Sequence, residues 1–364
     1  MNNSSIFSPN WASNPGNTII DILNERNISL ENFAIQMGST VSQVEKIVNG
    51  NVPINFDIAN QLEINLGASA EFWIARDNQY RESLEKINKL QENWIKKLPV
   101  KDMINFGWIQ KTEDIVKTCL EFFNVTSINE WEEKYNKEIG EIAFRKSSKF
   151  DSDFGATAVW LRKGEIAAKE STCDSWNLNL FIETLEKIKP LTKKKSPKDF
   201  LPKLIEECAK CGVTVAIVRT PSGCRASGAT KFLSPDRALL LLSFRYLSDD
   251  QFWFTFFHEA GHLVLHGEKG IHIESSEKST KSNTEEDEAN KFAAEMLIPY
   301  TLHSKLLNVR GNKRNIVNLA IEAGVSPGIV VGQMQYFGII DYKYLNSYKR
   351  RYNWEDIYEI NCML

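Results

Sequence analysis

The chain has 364 residues, of which 42% are hydrophobic, and its formal net charge is −3. This length and apolar content suit two or three domains with ample core. The sequence has no apolar run near the roughly 18 residues of a membrane-spanning helix, its first 17 residues are polar and uncharged, unlike a signal peptide, and its six cysteines lack a disulfide-like spacing. We therefore expect a cytoplasmic protein without a membrane partner.

The first element with a specific pattern is a predicted helix-turn-helix between Ser29 and Ile47. Small Ala34 allows two helices to approach each other, and Gly38 suits the turn between them. Val44 and Ile47 have the spacing needed to pack the second helix onto the first. The pattern predicts an all-α domain over residues 17–80, after an N-terminal tail of residues 1–16.

Residues around this pattern strengthen the prediction. Pro15-Gly16, Asn49-Gly50 and Gly67 followed by Glu71-Phe72-Trp73 resemble the HigA-like branch of helix-turn-helix regulators across residues 9–80. The resemblance implies that outward-facing side chains of the second helix meet DNA. The candidate DNA-binding residues are Thr40, Ser42, Gln43 and Lys46.

The charge of this region argues against simple DNA binding. Residues 1–80 contain three Lys and Arg against eight Asp and Glu, a net charge of 3 − 8 = −5. Non-specific affinity for DNA comes mainly from cationic contacts with phosphates. DNA contact and a protein-binding or structural use of the same fold therefore both remain open. Lys349-Arg350-Arg351, in a predicted C-terminal tail of residues 346–364, is a better electrostatic candidate for nucleic acid.

Residues 81–145 are predicted to be a helical connector. The candidate catalytic and metal-binding residues come after it in the sequence. A short apolar run, Ala238–Ser243, fits a buried strand, and we expect it at a sheet edge where it could hold an extended peptide. Ser248 and Gln251 have the spacing of a capping box at the start of the next helix. That helix is predicted to run from Phe252 to His266, before Gly267.

The most informative motif lies on this helix. His258 and His262 are four residues apart, so they share one helix face and can bind one metal ion. A catalytic zinc site has three protein ligands and an open position, and the metal lowers the pKa of a bound water to about 7. Glu259, between the histidines, is the candidate general base. All five histidines of the chain lie between His258 and His303, and His272 and His303 are candidates for oxyanion assistance.

The third ligand must come from another element. Residues 285–298 read as a second helix stopped by Pro299, and helical spacing places Glu286 in line with inward-facing Ala289 and Ala293. Glu286 is therefore the preferred ligand. Glu285 and Glu288 remain alternatives, and all these acids could instead form a solvated first turn favoured by the helix dipole.

Together these residues resemble a known family. His258 to His262, followed by Glu286-x-x-Ala289-Asn290-x-Phe292-Ala293 and Leu297-Ile298-Pro299, looks like the ImmA/IrrE family of zinc metallopeptidases, whose known members cut DNA-binding repressors. The resemblance covers most of residues 145–354. It implies His258, His262 and the glutamate that opens the next helix, for which Glu286 is the preferred residue, as zinc ligands, with Glu259 as general base.

The predicted fold class is mainly helical α+β. A zincin-like, gluzincin-type domain with a small sheet and a metal-binding helix is expected over residues 146–345. Two functions stay open at this point. The chain is either a zinc endopeptidase that cuts a repressor or similar regulator, or an antitoxin-like DNA-binding regulator whose zinc domain is sensory or structural. A structural zinc site would be closed by four ligands and would not need Glu259, which favours the peptidase.

Overall fold

The structure is a computed structural model and describes residues 12–146, 151–267, 271–275, 284–309 and 312–361. Its contacts divide the chain into two compact units, Met1–Lys96 and Lys97–Leu364. Most of the predicted tail of residues 1–16 lies outside the described residues. The helices of the first unit are α1 (Pro15–Glu25), α2 (Leu30–Gln36), α3 (Val41–Val48), α4 (Phe56–Leu66) and α5 (Ala70–Lys97), which ends at the unit boundary.

Helices α2 and α3 form where the sequence predicts them. Ser29 caps α2, and Gly38 adopts a left-handed conformation with φ of +63° in the turn that follows. Ala34, Val44 and Ile47 are at most 5% exposed and belong to one hydrophobic core. The expected packing of the second helix on the first is therefore present.

The second unit combines helices with one small sheet, which confirms the mainly helical α+β prediction. Its helices before the sheet are α6 (Val100–Asn105), α7 (Ile115–Phe123), α8 (Ile128–Lys146), α9 (Asp151–Glu170), α10 (Leu178–Ile188) and α11 (Pro197–Ala209). The remaining elements are β1 (Val213–Ile217), β2 (Ala226–Ser234), β3 (Arg237–Leu242), α12 (Asp249–Leu265), β4 (His272–Ser275), α13 (Thr284–Leu297), α14 (His303–Asn308), α15 (Lys313–Ala323), α16 (Pro327–Tyr336) and α17 (Trp354–Asn361). Short 3-10 turns cover Lys189–Lys193, Tyr300–Leu302 and Asn346–Tyr348.

The sheet has the strand order β1-β3-β2-β4, with β1 parallel to β3 and the other pairs antiparallel. The predicted strand over Ala238–Ser243 is β3, but its expected edge position is wrong. Its residues from Ala238 to Leu242 are at most 1% exposed, because β1 and β2 pair with its two edges and α9 and α12 pack against it. The strand at the edge beside α12 is β4.

A buried ion network joins α9 to the sheet. The carboxylate of Glu165 on α9 lies 2.7 Å from Lys231 Nζ on β2 and 3.1 Å from Arg162 Nη1. Burial acts to raise the pKa of Glu165, but Lys231 and Arg162 outweigh it and hold that pKa below its ordinary value. The network thus holds charged side chains in place between the helix and strand layers.

The start of α12 is anchored by a distant segment. Asp249 accepts hydrogen bonds from Ser326 Oγ at 2.8 Å and from the backbone N–H of Arg350 at 3.0 Å. Asp250 and Lys349 form a buried ion pair at 2.6 Å, with side chains 3% and 8% exposed. We call the segment 349–352, which makes these contacts and contains buried Tyr352, the C-terminal strap.

These contacts correct two predictions. The predicted capping box does not form, because Ser248 Oγ donates to Asp250 Oδ1 at 2.8 Å and makes no cap hydrogen bond. The predicted C-terminal tail instead packs into the main core through Tyr352 and Ile357. Lys349 is consequently a buried counter-ion and not an exposed basic residue.

Within the described residues, no single helix is long and apolar enough to cross a membrane. Only α15 and α16 reach that length together, as a pair bent by 105°.

Candidate metal centre

Two histidines of α12 face each other inside the second unit. His258 and His262 are each 1% exposed, and their Nε2 atoms lie 3.1 Å apart. Their spacing of four residues puts both rings on one side of the helix, as the sequence predicts. The helix is buried on this side because its neighbours are the sheet, α13 and α16.

Helix α13 brings the third candidate ligand to the same point. Glu286 Oε2 lies 3.3 Å from His258 Nε2, and Glu286 Oε1 lies 3.8 Å from His262 Nε2. The two helices approach closely because Gly261 has no side chain. A Cβ at that position would lie 3.0 Å from Phe292 Cδ1 and 3.3 Å from Ala289 Cα.

The outer nitrogen of each histidine ring also has a partner. His258 Nδ1 lies 3.1 Å from Asn290 Oδ1 on α13. His262 Nδ1 lies 3.0 Å from His266 Nδ1, and His266 Nε2 lies 3.0 Å from Glu288 Oε2. Such partners orient the rings of metal-binding histidines.

Glu259 lies beside the two histidines and is fully buried. Thr230 Oγ1 donates to Glu259 Oε2 at 3.1 Å, while Glu259 Oε1 has no hydrogen-bond partner among the residues that the structure describes. The approach of β2 depends on Gly228, where a Cβ would lie 2.6 Å from Glu259 Cγ. Strand β2 therefore holds Oε2 of Glu259 through Thr230, and Oε1 of Glu259 stays free to accept a proton.

The site collects negative charge in a buried space. Burial raises the pKa of Glu259 well above its ordinary value; His258 opposes this, and Glu274 and Glu286 add to it. Burial acts to lower the pKa of His258, but Glu274, Glu286 and Glu259 outweigh it and raise that pKa to about 9. The carboxylates around His258 therefore favour positive charge at this position, which a proton or a bound metal ion would supply.

The donor set fits a small divalent metal ion. Zinc–nitrogen bonds of about 2.0–2.1 Å in tetrahedral geometry place two ligand nitrogens roughly 3.3 Å apart. The Nε2 atoms of His258 and His262 are separated by 3.1 Å, and Glu286 Oε2 is 3.3 Å from the first of them. These three residues form a group whose ligand atoms all lie within 4.8 Å of one another.

The alternatives considered from sequence have other contacts. Glu288 forms a hydrogen bond with His266, and the charge of Glu285 acts to raise the pKa of His272. His272 stacks on His262, with ring centroids 4.2 Å apart and an interplanar angle of 15°. His303 Nε2 lies 3.1 Å from the Ile298 carbonyl oxygen, so that nitrogen is engaged with the backbone.

Two residues of the site did not follow from sequence reasoning. Glu274 on β4 raises the pKa of both His258 and Glu259, and its Oε2 is buried without a hydrogen-bond partner in the described part of the chain. Thr230 on β2 is the other, and it donates a hydrogen bond to Glu259. No spacing rule links either residue to the histidine motif, because sheet pairing brings them there.

The candidate DNA-binding residues belong to the first unit. Thr40, Ser42, Gln43 and Lys46 are all exposed on α3 or at its start. Thr40 and Gln43 form a reciprocal capping box, in which Gln43 N donates to Thr40 Oγ1 at 3.3 Å and Thr40 N donates to Gln43 Oε1 at 3.1 Å. Helix capping therefore explains these two residues without DNA.

Comparison with known proteins agrees with the geometry. Residues 214–333, about a third of the chain, match the family model Peptidase_M78, described as the IrrE N-terminal-like domain. The matched range contains His258, Glu259, His262 and Glu286, and it confirms the resemblance to the ImmA/IrrE family. The chain has no match among curated proteins.

Proposed function

We propose that this chain, whose residues 214–333 match the Peptidase_M78 family, is a zinc-dependent endopeptidase that cleaves a DNA-binding repressor or a similar regulatory protein and so relieves gene repression. The observation that carries the proposal is the convergence of His258, His262 and Glu286 beside buried Glu259. Three ligands and an adjacent carboxylate are the composition of a catalytic site, since structural zinc sites use four protein ligands.

Zinc bound by these residues would lower the pKa of a water molecule and polarise the substrate carbonyl. The chain itself supplies the proton transfer. Glu259 accepts a proton from the attacking water through Oε1, because Thr230 already donates to Oε2. Glu259 then passes that proton to the leaving amine.

An extended substrate has a suitable neighbour in β4. This strand lies at the end of the sheet order, and it carries Glu274 and His272 on the side of the metal centre. An edge strand can bind a peptide through backbone hydrogen bonds. We therefore place the substrate backbone along β4, with the scissile bond above Glu259.

The regulatory nature of the substrate rests on the family resemblance and on the first unit. The exposed surface of α3 suits a partner, but the net charge of −5 over residues 1–80 disfavours DNA phosphates. We propose that α3 contacts the protein to be cut. The chain would then recognise its substrate with one unit and cut it with the other.

The test compares the zinc-loaded parent with Glu259→Gln in cells, by labelling and identifying new protein N-termini. The parent should generate a small set of cuts in a DNA-binding regulator, and Glu259→Gln should lose them while keeping its zinc. Glu295→Gln on α13 is the control, because the Glu295 side chain is 40% exposed and its ion pair is with Lys291 on the same helix, and it should cut like the parent. Identical N-termini from the parent and Glu259→Gln would contradict the proposed peptidase.

A further inference from the structure

A chain of three side chains leads from the metal centre to the protein surface. His262 Nε2 faces His258 and Glu286, and its opposite nitrogen Nδ1 lies 3.0 Å from His266 Nδ1. His266 Nε2 then lies 3.0 Å from Glu288 Oε2. His266 is 7% exposed, while the Glu288 side chain is 56% exposed.

Only one arrangement of protons suits this chain when His262 binds a metal. A ligand nitrogen must be unprotonated, so His262 carries its proton on Nδ1. That N–H can donate to His266 only if His266 Nδ1 is unprotonated. His266 then carries its own proton on Nε2, where the Glu288 carboxylate accepts it.

From this geometry we infer that His266 and Glu288 are a positioning pair that selects the metal-binding tautomer of His262 and fixes its ring. The inference rests on the proposed metal site, in which His262 is a ligand. His258 has a simpler support, a direct contact with the Asn290 side chain at 3.1 Å. The two metal-binding histidines are thus oriented by different means, both reaching from α12 to α13.

His262, His266 and His272 also lie close enough to be considered as a metal site of their own. The ring geometry does not suit it. His272 is stacked on His262 at an interplanar angle of 15°, so the in-plane nitrogen lone pairs of the two rings run nearly parallel and do not converge on one ion. His272 instead packs against the face of His262 and limits its rotation.

The test measures zinc affinity of the full chain by competition with a chelator, together with the His262 tautomer from nitrogen NMR shifts of the metal-free chain. Glu288→Ala should weaken zinc binding by about 10-fold or more, the range seen for such supporting residues. Glu288→Gln should largely restore it, because the amide oxygen still accepts from His266 Nε2. Glu295→Gln is the matched control and should bind zinc like the parent.

Two substitutions of His266 test the other member of the pair. His266→Phe removes the acceptor for His262 Nδ1 and should weaken zinc binding, whereas His266→Gln can accept through its amide oxygen and should bind more tightly than His266→Phe. Unchanged zinc affinity and an unchanged His262 tautomer in Glu288→Ala would overturn the inference. So would equal losses in Glu288→Ala and Glu288→Gln. Neither readout uses a substrate, so failure of the positioning pair is distinguishable from failure of the proposed peptidase.

Discussion

Glu286 is the residue through which α13 reaches both histidines, so it offers the sharpest test of the metal centre. Glu286→Ala should remove most of the zinc from the purified chain, because two histidines alone leave the site one protein ligand short. Glu285→Ala, one position earlier on the same helix, should keep about one zinc per chain. Atomic absorption after dialysis measures both. Full zinc content in Glu286→Ala would place the metal elsewhere.

Candidate residues that stand out by their spacing within one helix could be predicted from the sequence, and contacts between elements could not. His258, Glu259 and His262 follow from helical spacing, and Glu286 from its alignment with buried Ala289 and Ala293. The partners of His266 and Glu259 depend on how α13 and β2 dock against α12. The spacing of residues within one element does not determine how that element docks against another.

At the scale of elements, the ion network between α9 and β2 predicts a pH-dependent stability. Glu165→Gln leaves Lys231, whose side chain is 13% exposed, without its full counter-charge, and should lower the free energy of unfolding at pH 7 by about 3 kcal/mol. Since the pKa of Glu165 is lowered in the folded chain, its contribution is present above its ordinary pKa and is lost as the pH falls through the lowered value.

Urea denaturation from pH 7 to pH 3, followed by tryptophan fluorescence, measures this effect. The difference between the parent and Glu165→Gln should shrink below about pH 4. Glu183→Gln, which changes an exposed residue of α10, should unfold like the parent throughout. A difference that stays constant down to pH 3 would contradict the assigned role of Glu165.

The elements themselves were predictable where their pattern is local. The apolar run from Ala238 to Leu242 identifies β3, but its interior position depends on pairing with β1 and β2, which a single strand does not encode. The predicted capping box failed because Asp250 competes for the Ser248 hydroxyl. The four-residue strand β4 is too short for a periodic signal.

For the whole molecule, the charge distribution predicts weak DNA binding. The chain has a net charge of −3, residues 1–80 carry −5, and Lys349 is already paired with Asp250. Zinc-loaded Glu259→Gln should therefore show no measurable binding to a labelled DNA duplex at about 150 mM salt, by fluorescence anisotropy. Tight binding with a steep salt dependence would contradict this. If Lys46→Ala then reduced the salt slope by about 1, the contact would be assigned to α3.

The C-terminal strap also orders events in time. Asp249 precedes Arg350, its hydrogen-bond partner, by 101 residues, so about 5 to 20 s of translation separate the two. Until the strap emerges from the ribosome, Asp249 and Asp250 at the start of the metal-binding helix lack the partners that offset their burial. The nascent chain therefore carries both histidines long before it can hold them in place. The proposed peptidase would therefore complete its metal centre only after residues 349–352 have been synthesised, which would spare the proteins being made around it.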